Sequence, residues 1–268
     1  MLQTLRNAWK IEELRKKILF TLVIILLYRL GNAIPVPYVN VAALQYYFTQ
    51  LQNTVLGLYN VMSGGAFSQA TIFALSIQPY INASIIIQLL CIAIPALEEL
   101  SKQGEEGRKK INRITRYTAA GLALIQAIGY TFGLFRSVLT DNSVFAKIVI
   151  VLTLVAGSTF CIWLGEKIDE NGIGNGISLL IFAGIVSRIP TMITTCINYI
   201  KSGVSGKPVL GARIAIMAGL VIFGLAVVVG IILITEGTRK IPVQYAKRVV
   251  GRKMYGGQSS HIPMKVNQ

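Results

Sequence analysis

Residues 63–90 read SGGAFSQATIFALSIQPYINASIIIQLL, 28 positions without an acid, a base or a histidine. The charge-free region around them runs from Gly31 to Leu97, 67 residues, while one membrane crossing takes roughly 20 apolar residues. Something other than a simple hairpin must fill it. Positions 38–71 are too apolar for a free loop, and Ser63, Gly64 and Gly65 interrupt any continuous helix. Two readings remain: a short re-entrant segment buried within protein, or an amphipathic surface helix followed by a linker. Beyond it, Gln78, Pro79, Asn82, Ser84 and Gln88 punctuate an Ile-rich run. Amides facing lipid are costly, so these side chains belong against other helices or in a wet cavity. Ile77 and Ile81 are four apart and share one helix face.

The rest of the chain continues this pattern. Of 268 residues, 53% are hydrophobic and 14% charged, and the mean hydropathy is +0.61. Soluble domains carry about 25% charge, so the composition reads as a membrane protein. Six windows are apolar enough to span: 18–36, 72–97, 117–136, 144–165, 174–196 and 210–235. The first is not a cleaved leader, because Arg6, Lys10, Arg15, Lys16 and Lys17 precede it and no small-residue cleavage site follows. Lys and Arg concentrate in the N-terminal arm, the 98–116 connection, the 166–173 connection and the tail from Thr238, 19 of the 26 in all. Basic residues near span ends stay in the cytoplasm, which puts both termini there.

Little in the sequence can carry chemistry. Cys91, Cys161 and Cys196 have no disulfide-like or ligand-like spacing, and one His is too few for a metal site or proton relay. No metal and no cofactor is expected. Acids avoid the spans, against the needs of an ion-coupled pump. Gly172, Gly174 and Gly176 lack the preceding strand and third-glycine spacing of a nucleotide loop, and read as a tight turn with Asn175 or a neighbour capping the fifth span. Arg29, twelve residues beyond Lys17, lies about 18 Å deeper along a helix and reaches the outer interface by snorkelling. The formal net charge of +15 favours anionic lipid, RNA or an acidic protein. Its densest part is the tail, where Arg239, Lys240, Lys247, Arg248, Arg252 and Lys253 alternate with Ile241, Val243, Tyr245, Val249, Val250 and Tyr255. That is a structured basic finger, for an RNA or acidic partner or for anchoring on anionic lipid. The 98–116 connection, with Glu98, Glu99, Glu105 and Glu106 among its bases, reads as a solvated turn.

A set of longer motifs adds a resemblance. Ile34-Pro35-Val36-Pro37, Ser63-Gly64-Gly65-Ala66, Pro79-Tyr80-Ile81-Asn82-Ala83-Ser84, Gly104-Glu105-Glu106-Gly107-Arg108-Lys109-Lys110, Gly172-Ile173-Gly174-Asn175-Gly176-Ile177-Ser178, Ile241-Pro242-Val243-Gln244-Tyr245-Ala246-Lys247-Arg248 and Tyr255-Gly256-Gly257-Gln258 together resemble the SecY family, pore subunits of the bacterial protein translocase. The resemblance implies an all-α, polytopic transmembrane helical bundle. In it, residues 1–17 form a cytoplasmic arm, 18–196 a first five-span half with a re-entrant plug near 57–71, 197–235 an outer loop and sixth span, and 236–268 a basic cytoplasmic loop. It implies a passive, non-enzymatic channel for unfolded polypeptide, opening across the cytoplasmic membrane and sideways into it.

By the same resemblance, Ile77, Ile81, Ile181 and Ile185 form an aliphatic pore ring, and Ser63, Gly64, Gly65, Ala66, Phe67 and Ser68 belong to the plug. Gln88 and Gln126 stand on the lateral gate, while Arg108, Lys109, Arg239, Lys240, Lys247, Arg248, Arg252 and Lys253 dock the ribosome or the SecA ATPase. SecE and SecG subunits, secretory and membrane precursors, and anionic lipid complete the expected partners. Family members have ten spans and this sequence stops at Gln268, about where a seventh would begin, so it is expected to be part of a longer chain. Asn82 puts an amide beside Ile81, where a small residue would be unsurprising. The competing classes are half of a secondary transporter with a midplane small-molecule site, and a membrane anchor that recruits ribosomes through its tail.

Overall fold

The computed structural model describes residues 9–50, 54–201, 210–243, 248–250, 253–255 and 260–265. They fall into two units, Met1–Pro190 and Thr191–Gln268. The architecture is helical and membrane-spanning. Among the described residues, four helical segments are long and apolar enough to cross a bilayer, or five if a bent helix pair is counted as one span.

Helix α1, Glu12–Gly31, has Glu12 and Glu13 in its first turn and Arg29 in its last, the arrangement the helix dipole favours. It buries Thr21, Ile24, Tyr28 and Gly31, spaced three and four apart along one face. Arg15, Lys16, Lys17 and Arg29 bracket its apolar run, which is shorter than the 18–36 window. The chain then becomes extended at the two prolines, as residues before proline do. There it pairs with the end of the glycine-containing segment 63–72: Val36 N–H donates to Ala70 O at 2.8 Å, and Ile72 N–H to Ile34 O at 3.0 Å. The short helices α2, Val41–Gln50, and α3, Val55–Met62, fill the charge-free region, with Leu44 and Phe48 of α2 buried.

The second span differs from the 72–97 window. Helix α4 covers only Gln78–Ala93, and α5, Pro95–Lys102, leaves it at 103°. Both have a proline in the first turn, where its missing N–H costs nothing, and Pro95 holds Ile94 extended. Residues 71–77 are instead a buried chain of turns. The basic 98–116 connection is also largely helical: α6, Glu105–Gly129, starts within it after a turn at Gly104, φ +70°. Glu105 and Glu106 sit at its positive end.

Helix α6 buries Thr115, Ala119, Ala123 and Ala127, a stripe of small residues that lets α4 and α7 come close. It ends in a π turn, Tyr130–Leu134, and a 3-10 turn, Phe135–Ser137. Helix α7, Val144–Asn171, begins at Ser143, whose Oγ accepts from Ala146 N–H at 3.2 Å. Beside it, Asp141 accepts from the Ser143 N–H and hydroxyl, both at 2.9 Å, which holds its carboxyl below the usual carboxylate range. At the other end Arg116 Nε donates to Glu166 at 2.9 Å, tying α6 to α7. The Gly172–Gly176 run is a tight turn into α8, Gly176–Val186. Asn175 caps it by accepting from Ser178 N–H at 3.0 Å, and Asp169 accepts from Gly176 N–H at 2.7 Å. Helix α9, Ile189–Lys201, continues the span after a break at Ser187 and Arg188.

In the second unit α10, Leu210–Glu236, is apolar on all sides between Arg213 and Glu236. The basic finger is built of strands: β1, Thr238–Val243, pairs antiparallel with β4, Ser260–Lys265, and β2, Arg248–Val250, with β3, Lys253–Tyr255.

The core of the first unit lies where the irregular 63–77 segment meets α1 and α7. Gly157 on α7 faces Ile72, and a Cβ there would collide with the Ile72 carbonyl oxygen. Gly157→Ala is expected to cost about 1–3 kcal/mol as an overpacking change, read as a lower thermal unfolding midpoint in detergent. Gly121→Ala on α6, with open space around it, is expected to leave the midpoint unchanged or slightly higher.

Candidate functional site

The first turn of α4 and the middle of α8 bring three of the four isoleucines together. Ile77, the residue capping α4, is 1% exposed, and Ile81 and Ile181 are half-buried in the same apolar cluster. With Tyr59, Met62 and Ser63 they line one small cavity of about 20 Å³, room for roughly one water. Ile185, one turn further along α8, is 45% exposed and stands outside that cavity.

The segment that closes the cavity is held in two different ways. At its near end, α3 stops at Ser63, whose hydroxyl donates to Asn60 O at 3.2 Å and accepts from Phe67 N–H at 3.3 Å. The Asn60 side chain accepts from Ser68 N–H at 3.0 Å, so the turn closes its own polar groups. Gly64 and Gly65 adopt φ +68° and +93°. Gly64 lies directly on Gly184 of α8: a Cβ on Gly64 would sit 2.9 Å from Gly184 O, and one on Gly184 would sit 2.6 Å from Met62 O. Only glycine allows this backbone-to-backbone approach with the left-handed turn. At the far end, Ala66 and Phe67 are each 2% exposed. The Phe67 ring meets Tyr130 edge-on at 4.9 Å, Phe48 edge-on at 5.1 Å and Phe135 at 6.5 Å. One end therefore rests on glycine; the other is locked in an aromatic box.

The remaining candidate residues are dispersed. Gln88 is exposed on α4 and donates to Ser84 Oγ at 3.4 Å, and Gln126 is half-buried on the neighbouring α6. Arg108 and Lys109 are exposed near the start of α6, and Arg239 and Lys240 are exposed on β1. Arg248 and Lys253 stand on β2 and β3, while Lys247, Arg252 and the arm before Trp9 lie outside the described residues. Tyr59, Asn60 and Met62 were not singled out by sequence. The usable signal was the Asn60 to Gly65 cluster of turn-forming residues, which bond their own backbone.

A second cavity, about 620 Å³, lies between α1 and α7 and is lined by Leu27, Leu30, Ile34, Phe73 and Phe160, with Thr153 as its one polar side chain. It offers nothing to a polar or charged solute. Among the described residues, no three His, Cys, Asp or Glu side chains form a metal site.

Comparison with known proteins decides the family. The SecY family profile matches residues 71–268. The chain belongs to the SecY family. It is 44% identical over 275 residues to the protein translocase subunit SecY of Corynebacterium glutamicum, covering 98% of this chain and 60% of that one. It is 46% identical over 272 residues to the Bacillus subtilis subunit, covering 100% and 62%. The SecY-family chain thus spans about three-fifths of the length of these relatives. Its fold is similar to the solved structure of a protein-conducting channel, with a TM-score of 0.59, 21% identity, and coverage of 94% of this chain and 52% of that one.

The aromatic box makes a measurable claim about this SecY-family chain. Phe67→Ala is expected to cost about 3–5 kcal/mol at that site. A cysteine placed by Ser63→Cys should then react with a small maleimide at least about tenfold faster, a rise that needs only ~1.4 kcal/mol of that loss. Peptide mass spectrometry separates this label from Cys91, Cys161 and Cys196, and an unchanged rate would exclude the box as an anchor.

Proposed function

We propose that this chain is pore-forming material of a protein translocase: a passive conduit for unfolded polypeptide through the cytoplasmic membrane, with both chain ends on the cytoplasmic side. The observation that carries the reading is the convergence of Ile77, Ile81 and Ile181 with Met62 and Ser63 on one water-sized cavity. Branched alkyl groups offer water and ions no hydrogen bonds, so a constriction made of them closes by dewetting. An extended chain can push them aside without being held, because nothing specific binds it. Ile185, exposed one turn further along α8 and outside that cavity, is proposed to extend the same aliphatic surface.

The segment 57–71 serves as the plug. Its Ser63–Ser68 turn caps the constriction and touches α8 through glycine, a contact with little side-chain area to separate. Gln88 and Gln126 lie on the pair of helices that opens sideways to lipid. The chain performs no chemistry and holds no cofactor. Energy comes from SecA and the proton gradient or from translation, and the ribosome or SecA docks on Arg108, Lys109 and the β1–β4 finger. SecE and SecG complete the assembly, and anionic lipid neutralises the remaining basic surface.

The direct test is photocrosslinking of a stalled secretory precursor to a probe at position 77 or 81 in the assembled membrane complex. Precursor that crosslinks to a probe at exposed Leu89 but to none at 77 or 81 would overturn the pore reading; Leu89 is 62% exposed. Ile81→Ser is expected to raise ion leak and to admit precursors with defective signals, because a hydroxyl wets the constriction. Planar-bilayer conductance and an export assay read the two effects. Charge reversal at Arg248 and Arg252 is expected to weaken ribosome or SecA binding. The unsubstituted complex should itself lose affinity as salt rises from 0.05 to about 0.5 M, because screening shortens the reach of exposed charges. Sedimentation across that salt series checks both.

A further inference from the structure

The residue before Ile77 has an unusual backbone. Ser76 adopts φ +49°, a left-handed conformation that residues with a side chain rarely take, and it is 8% exposed. A strained residue of this kind persists where its surroundings over-determine it, and here three hydrogen-bonding groups do so. Ser76 N–H donates to Phe73 O at 2.8 Å. The Ser76 carbonyl accepts from Ser158 Oγ on α7 at 3.0 Å. The Ser76 hydroxyl lies 3.3 Å from the Tyr28 hydroxyl on α1. Tyr28 and Ser158 are both wholly buried.

The choice of partner made by Ser158 is informative. A helical Ser or Thr in an apolar setting ordinarily bonds the carbonyl four residues back. On the same helix Thr153 does so to Val149 O at 2.7 Å, and Thr159 to Val155 O at 2.9 Å. Ser158 gives its proton to a carbonyl 82 residues away in sequence. The ring of Phe73, at the start of the same turn, stacks on Tyr28 at 5.8 Å and on Phe160 at 6.0 Å. The turn 73–76 is therefore gripped from α1 and from α7, and the next residue, Ile77, opens α4.

We propose that Ser158 and Tyr28 are positioning residues for the constriction: by holding Ser76 left-handed they fix where Ile77 points, and so set how readily the seal opens. The inference rests on the pore reading above. Loss of the Ser158 bond frees the peptide at 76 to relax towards an ordinary φ, which swings the first turn of α4 and moves Ile77 away from Ile81 and Ile181.

The test compares Ser158→Ala, Tyr28→Phe, Ser76→Gly and Ser158→Ala/Ser76→Gly with Ile81→Ser in the assembled membrane complex. Ion conductance of the resting complex and export of a defective-signal precursor are the readouts, and export of a normal precursor reports correct assembly. Ser158→Ala is expected to raise resting conductance about two- to tenfold, the factor one buried hydrogen bond of ordinary net strength supplies, with normal export retained. Tyr28→Phe should act in the same direction and more weakly, its contact being longer. Ser76→Gly removes the strain, since glycine adopts this φ freely; in the double variant it should bring conductance back towards the parent. A side chain important only for stability would lower normal export and would not be offset in this way.

Parental conductance and selectivity in Ser158→Ala, or no recovery in the double variant, overturns the proposal. If Ser158→Ala assembles poorly, Tyr28→Phe decides, because it loses one oxygen and no packing volume: parental conductance there is also fatal. Ile81→Ser separates the two levels. A leak with Ile81→Ser and none with the clamp variants leaves the constriction standing and removes the clamp. No leak with Ile81→Ser removes the constriction, and the clamp with it.

Discussion

The governing constraint is that a bilayer supplies no water to hydrogen-bond a stray peptide group, so each buried N–H and C=O must be satisfied within the protein. Helices solve this automatically. The charge-free region does not consist of helices alone, because residues 63–77 form buried turns. Those turns are possible only because their polar groups are closed locally or borrowed from neighbours. Asn60 and Ser63 satisfy the turn at the glycine pair, Ile34 and Val36 supply a two-bond ladder to Ala70 and Ile72, and Ser158 reaches in for Ser76. The irregular segment runs directly into the first turn of α4, with Ile77 as the residue that precedes the helix.

Close approach follows from the same constraint. Lipid tails are as apolar as leucine, so helices gain nothing from hiding leucine and associate through close van der Waals fit and small residues. Ala119, Ala123 and Ala127 on α6, Gly157 on α7 and Gly184 on α8 are the contact points at which a larger side chain would push elements apart. The bulky groups are concentrated elsewhere, in the Tyr28–Phe73–Phe160 stack and around Phe67. Glycine contacts and aromatic anchors thus divide the labour: one permits proximity, the other resists separation.

The sequence made the helical, membrane-spanning character legible, since apolar windows and clustered bases are long-range averages that survive ignorance of packing. The Gly172–Gly176 turn with Asn175 as a cap was legible for a local reason, a capping residue placed against its own helix. The start of α4 was not. Ile72 to Ser76 are as apolar as any span, and their departure from helix depends on partners far away in sequence, Ile34, Tyr28 and Ser158. The strands of the basic finger were hidden likewise, because alternation of Arg239, Lys240 and Ile241 with their neighbours fits a docking surface whatever its backbone. Of the four isoleucines, the i,i+4 spacing placed Ile77 and Ile81 on one face but could not tell that Ile185, equally spaced from Ile181, would be 45% exposed.

On the proposed reading, a seal of alkyl groups must be tight to ions and yet part for a chain of any sequence. Hydrogen bonds across the constriction would defeat the second need, because every opening would leave polar groups unpaired in a dry place. Ser63 and Ser76, which line the cavity with the isoleucines, already have partners elsewhere in the protein: Ser63 on Asn60, Ser76 on Tyr28 and Phe73, with Ser158 on the Ser76 carbonyl. From α4 and α8 the cavity is lined by Ile77, Ile81 and Ile181, together with Gln78. On that reading strength resides one layer behind the gap, in the turn proposed to aim Ile77 and the box that holds Phe67, while the gap itself stays weakly cohesive. A constriction built this way is set by backbone placement more than by side-chain attraction, since alkyl groups of similar size cohere about equally well wherever they meet.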